Sequence, residues 1–236
     1  MPLTDNLISY YKLEGNSNDE LAAHNGTDTS ITYSVANGKI GQGAGFNGTS
    51  SKILTSGNSA ISGDAAFSYS VWINTNSITD TAYQVPVSVG NFLNTLEAAG
   101  MFMNVGTGTI GLNFSGGNNY ISATNALAIN TWYHIVTTKT AGAINTTTKL
   151  YVNNVDTAAV SPSTNTPNIV NAPIRIGHAI DGATDKYFMD GEIDEVGVWS
   201  RALTASEVSQ LYNNGAGLTY PFTGAVISNL LTLRVG

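Results

Sequence analysis

The sequence predicts an all-β protein, a sandwich or barrel of short strands closed by one short helix. Three observations carry this. Apolar and polar residues alternate with a period of two in one segment after another, the pattern of a strand with one buried face. Clusters of Gly, Asn and Ser separate the segments at the spacing of a sandwich or barrel. Only one stretch, near the C-terminus, changes to a helical period.

The first clear strand covers residues 67–73, where Phe67, Tyr69, Val71 and Ile73 share a face and, apart from Trp72, small polar residues take the other. Strands of the same kind are expected at 8–13, 45–46, 53–55, 85–89, 102–105, 110–114, 132–138, 150–152, 174–176 and 193–199. Residues 149–155 read as a hairpin, because Asn153 and Asn154 tolerate the positive φ of its turn. The string Gly106-Thr107-Gly108-Thr109-Ile110-Gly111 matches a dinucleotide fingerprint, but Leu112-Asn113-Phe114 continues as a strand. A fingerprint needs a helix N-terminus there to hold pyrophosphate, so a hairpin turn is expected. In the helical stretch, Thr204-Ala205-Ser206-Glu207 form a capping box. Val208, Leu211 and Tyr212 follow on one face, and Gly215 is placed to end the helix.

Composition narrows the function classes. The 236 residues carry a net charge of −7, and only 11% are charged. Nine basic residues scattered from Lys12 to Arg234 make no nucleic-acid surface. With no cysteine, disulfides, thiol catalysis and zinc–thiolate sites are excluded. No run approaches the roughly 18 apolar residues of a membrane span, so no membrane insertion is expected. The opening Met1-Pro2-Leu3-Thr4-Asp5-Asn6 lacks the basic and apolar regions of a secretory signal. A surface setting, on a virion or outside a cell, is expected without a visible leader.

Five blocks, in order, resemble a known family. They are Leu7 to Gly15 with Asp19 and Gly26; Gly38 to Gly48; Phe67 to Ile73; Asn130 to Val136 with Leu150 to Asn153; and Gly191 to Val196 with Trp199, Arg201-Ala202-Leu203-Thr204 and Glu207-Val208. Together they look like a laminin-G-like domain of the concanavalin A-like lectin/glucanase superfamily, spanning residues 1–222. The resemblance implies a two-sheet antiparallel jelly-roll sandwich with one short C-terminal helix. Residues 223–236 lie beyond the pattern. They hold Val226, Ile227, Leu230, Leu231, Leu233 and Val235, so they must fold back or pair with another subunit or a particle. A virion or homo-oligomer partner through residues 224–236 is the functional form of that expectation.

The fold itself assigns no activity, which must be argued from sites. Glu192-Ile193-Asp194 resembles the start of the catalytic strand in family-16 glycosidases. Retaining hydrolysis needs two carboxyls about 5–5.5 Å apart. The second Glu of those enzymes follows four or five residues later, where this chain has Val196 and Gly197. No glycosidase, and no enzyme, is therefore expected. His24, His134 and His178 are far apart, and His134, within a strand beside Trp132, reads as structural. Asp181, Asp185, Asp190, Glu192, Asp194 and Glu195 place six of the sixteen acids within fifteen residues. A hard cation is one way to stabilise such a group. By resemblance, Glu14, Asp19 and Asp194 are the candidate ligands of a structural Ca2+. The alternative is a solvated acidic loop with a carboxylate that caps backbone amides. For a ligand, the loop aromatics Tyr83, Tyr120, Tyr187 and Phe188 offer faces on which a sugar can stack. The leading reading is a non-catalytic carbohydrate-binding or adhesion module whose partner is a glycan or cell-surface polysaccharide. The rival is a decoration or tail-fibre component of a virus particle, without sugar binding.

Overall fold

The fold was obtained as a computed structural model describing residues 1–78, 83–104, 106–116, 120–157, 161 and 163–223. The expected docking segment 224–236 and Val105, the end of an expected strand, lie outside the described residues.

Two antiparallel sheets pack face to face. The first runs β13 (Val155–Asp156), β12 (Thr148–Val152), β11 (Trp132–Lys139), β6 (Phe67–Thr75), β17 (Asp190–Trp199), β4 (Gly43–Asn47) and β3 (Thr32–Ser34). The second runs β10 (Tyr120–Ala126), β9 (Thr109–Asn113), β8 (Ala99–Met103), β7 (Val87–Val89), β14 (Arg175–Ile176), β5 (Lys52–Thr55) and β2 (Gly26–Thr29). A small hairpin, β15 (Ala179–Asp181) with β16 (Thr184–Lys186), stands apart from both. The predicted sandwich is present. The short strands β2, β3, β15 and β16 were not foreseen, since Gly, Thr, Ser and Asp dominate them. The expected strand 85–89 begins only at Val87, because Pro86 offers no N–H to the ladder.

β17 explains most of the layout. One side pairs with β6 along its length. The other pairs with β4 through Asp190–Ile193 and with β1 (Leu7–Tyr11) through Val196–Trp199. The register shifts between Asp194 and Gly197, and Glu195 sits there with a φ of 52°. An extra residue of this kind bends a strand and re-aims its side chains. It also divides the outer face of the first sheet into a β1 half and a β4 half.

Between the sheets, Phe67, Tyr69, Val71 and Ile73 meet Ile135, Ile193, Val87, Met101, Leu112 and Ile176 in one core. A second cluster covers the β1 half of the outer face. There α2 (Ala205–Tyr212) lays Val208 and Leu211 on Tyr10, Val136, Tyr151 and Trp199. This is why the polar face of β6 is buried rather than wet: Ser68 and Ser70 lie beneath the helix and its flanks. The capping box forms as expected. The helix ends earlier than expected, however. Asn213 takes the left-handed position at φ 47°, and Gly215 follows after one further tight turn. No helix among the described residues is long and apolar enough to cross a membrane.

Candidate functional site

On the outer face of the second sheet, alternation along β8 sends Met101 and Met103 into the core and Phe102 the other way. Phe102 gathers a ring cluster. Its centroid lies 4.8 Å from Phe92, 5.5 Å from Tyr187 and 5.7 Å from Tyr83, and the two tyrosines are 5.9 Å apart. Gly100 makes room for this, since a Cβ there would meet the tip of Phe92 at 2.9 Å. Tyr83 is 41% exposed over a base, Phe102, that is only 5% exposed. The Tyr187 hydroxyl donates to Asp181 Oδ2 at 3.1 Å, and Lys186 reaches the same oxygen at 2.9 Å. Partial burial and Asp181 raise the Tyr187 phenol above its ordinary value.

Of the four aromatics expected to bind, the structure thus joins Tyr83 and Tyr187. Phe188 lies instead over His178, with ring planes 13° apart. Tyr120 begins β10, the end strand of its sheet, and among the described residues no ring contact joins it to the others. Phe92 and Phe102 were not singled out in advance. The signal was present for Phe102: with Met101 and Met103 both apolar, one of the three had to face out.

A second concavity lies over the β4 half of the first sheet. It has a volume of about 300 Å3, and Thr32, Asn37, Gly45, Asn47 and Glu192 are among its lining residues. Glu192 stands opposite Asn74 on β6 and Gly45 on β4. Burial, and then Asp190, raise the Glu192 carboxyl above its ordinary value.

The three carboxylates expected to hold Ca2+ are occupied by backbone amides. Asp19 accepts from Tyr10 and Leu21 on Oδ1 and from Ala23 and His24 on Oδ2, at 2.9–3.2 Å. Asp194 Oδ2 accepts from Lys39 and Ile40, and Oδ1 from Glu195. Glu14 Oε2 accepts from Gln42. Glu14 and Asp194 therefore pin the same 39–42 loop, while Asp19 shapes a different one. Among the described residues, no three His, Cys, Asp or Glu side chains are gathered as a metal ion would need. All three carboxylates cap backbone amides.

Comparison with known proteins now places the chain. A sequence profile of the concanavalin A-like lectin/glucanases superfamily matches residues 47–209. The chain belongs to that superfamily. A search of curated protein sequences finds no significant match. Among solved structures, domain 4 of AbnA, an extracellular arabinanase of Geobacillus stearothermophilus seen with arabinotriose, is 21% identical. That match has a TM-score of 0.63 and covers 89% of this chain and 98% of the other. The receptor-binding domain of botulinum neurotoxin D is 15% identical, with a TM-score of 0.61 and coverage of 89% and 53%. A Trypanosoma rangeli sialidase mutant is 13% identical, with a TM-score of 0.61 and coverage of 88% and 32%. The chain thus spans about half of the toxin chain and a third of the sialidase chain. At these identities the likeness is one of fold.

In this concanavalin A-like chain, the positions weighed for or against catalysis take these places. Val196 is in the core and Gly197 faces Ser70 across the sheet, so neither position brings a carboxyl to Glu192. Glu195 accepts from the Tyr10 hydroxyl at 2.5 Å. His134 bonds Ser70 through Nε2 at 2.8 Å, within ring distance of Trp72 and Tyr212. Burial drives its pKa down to about 3, which keeps the ring neutral. The structural reading of His134 holds.

Proposed function

We propose that the protein is a non-catalytic glycan-binding module and that its platform is the aromatic patch of Tyr83, Tyr187, Phe102 and Phe92. The observation that carries this is the exposed Tyr83 ring seated against Tyr187 over a buried Phe102. A sugar presents C–H groups to an aromatic face and hydroxyls to polar neighbours. Asp181 and Lys186 stand beside the rings as those neighbours. The arabinotriose complex of the arabinanase domain favours a saccharide ligand for this fold, and a cell-surface polysaccharide is the partner proposed here. Such a module works equally on a secreted chain and on a virion. In the virion setting, residues 224–236 are proposed as the segment that docks to a particle or a second copy.

A glycan array probed with the purified chain tests the reading. Binding confined to one sugar class is expected, and Tyr83→Ala and Tyr187→Ala should each weaken it about tenfold or more, as losing a stacked ring does. A blank array, or hits unchanged in both variants, would reject it.

A further inference from the structure

We propose that the glycan taken by the aromatic patch is an uncharged one, anchored through two neighbouring ring hydroxyls on Asp181 and Lys186. The inference rests on the platform reading above and adds to it the class of sugar and the residues that select it.

The hairpin that carries this pair is fastened to the rings. The Phe92 N–H donates to the Ile180 carbonyl at 2.9 Å. The Asn91 side chain donates to the Gly182 carbonyl at 2.8 Å and accepts from the Gly182 N–H at 2.9 Å. Both neighbours of Asp181 are therefore held by the loop that supplies Phe92 to the ring cluster. An anchor already fixed relative to the rings loses little freedom when a ligand arrives.

The pair presents what hydroxyls need. Lys186 and Tyr187 both donate to Oδ2 of Asp181, and no donor among the described residues reaches Oδ1. The Asp181 side chain is 21% exposed and that of Lys186 46%, so a ligand can reach both. The bonds from Lys186 and then Tyr187 hold the Asp181 carboxyl below its ordinary range, which keeps it an acceptor. Lys186 has committed one of its three N–H donors to it. A hydroxyl both donates and accepts. One can give its hydrogen to Oδ1 while its neighbour on the ring takes one from Nζ, and the Asp181–Lys186 pair stays intact.

Charge excludes acidic sugars. The strands of the second sheet hold two other cations, and both are engaged: Lys52 pairs with Asp185, and Arg175 turns to the carbonyls of Gly90 and Pro173. A sugar carboxylate or sulfate would have to draw Lys186 away from Asp181. That would leave Asp181 bare beside an incoming negative charge, a juxtaposition that interfaces avoid.

The test is a glycan array that carries neutral oligosaccharides beside uronate-, sialate- and sulfate-bearing ones, followed by titration of the strongest binder. Hits are expected among the neutral members, and the strongest should bind almost equally at low and high salt. Asp181→Asn keeps the shape of the side chain but removes its charge. It should weaken the neutral binder about tenfold or more while melting near the parent temperature. Thr184→Ala, an exposed change in the same hairpin, should leave the affinity as it was. Acidic members binding best to the parent chain would overturn the proposal with no variant needed. Neutral hits lost in Tyr83→Ala but unchanged in Asp181→Asn would overturn it and leave the platform standing. A blank array would overturn both.

Discussion

Asp19 shows how much one buried side chain can hold. Its two oxygens accept four backbone N–H groups, which fixes the turn at 19–24 and ties it to β1 through Tyr10. Truncation would leave those donors without a partner in a site where Asp19 is 4% exposed. Each lost charge-assisted bond counts for about 1.5–3 kcal/mol, and the four are not additive. Asp19→Ala should therefore lower stability by about 3 kcal/mol, read as a shift of the urea midpoint at unchanged slope. A loss under about 1 kcal/mol would mean that water replaces the carboxylate there. The identity of Asp19 as a special residue was legible in the sequence. Its role was not, because the amides of Tyr10, Leu21, Ala23 and His24 converge on it only after the loop has folded.

At the level of elements, α2 is held by a pair that serves two purposes. Glu207 Oε2 accepts from the Thr204 N–H at 2.8 Å, and both carboxylate oxygens take the Arg201 guanidinium at 2.7–2.9 Å. Thr204 returns a cap to the Glu207 N–H at 3.3 Å. Thr204→Ala removes the cap and the hydroxyl's bond to Glu207 Oε2 at 2.9 Å while keeping the Arg201 pair, and should cost about 1–2 kcal/mol. Glu207→Ala leaves a buried arginine without its partner and should cost about 3–5 kcal/mol. Equal losses in the two variants, measured by urea unfolding, would show that the Arg201 pair adds nothing to the cap. The box itself was readable from Thr204 and Glu207. The early stop at Asn213 was not, since Asn and Gly both accept the left-handed position and packing of Tyr212 against Trp72 selects between them.

For the whole molecule, buried titratable groups set the response to pH. Burial raises Asp194 to about 8, against three backbone amides that favour its anion. Burial also raises Glu195 to about 7, against the Tyr10 hydroxyl. Both carboxyls bind protons more tightly folded than unfolded, so they withdraw stability as pH rises through their folded values. Burial lowers His134 to about 3 and His178 to about 4. The histidines work in the opposite sense and withdraw stability as pH falls below their unfolded value of about 6.5. From about 4.5 to 6.5 the two pairs oppose each other, giving a plateau. From about 6.5 to 8 only the carboxyls titrate differently in the two states, so the melting temperature should decline. Glu195→Gln should flatten that decline. A slope unchanged in the variant would remove Glu195 from the account.

The sequence by itself determined the sandwich, its core face and its closing helix. Period-two alternation, turn residues and a capping box act over a few neighbouring positions, and Phe67, Tyr69, Val71 and Ile73 needed no distant partner to declare their face. Tertiary structure alone decided which surface residues meet. Tyr83 and Tyr187 are more than a hundred positions apart and touch because Phe102 faces outward beneath them, while Tyr120 and Phe188, equally aromatic, are carried elsewhere. Glu192 likewise became a pocket residue only when β17 was shared between β4 and β1, leaving the β4 half of the sheet uncovered by the helix. Local pattern specifies strands because burial repeats every second residue, but a binding surface is a sum over strand order, and strand order is set by long-range pairing.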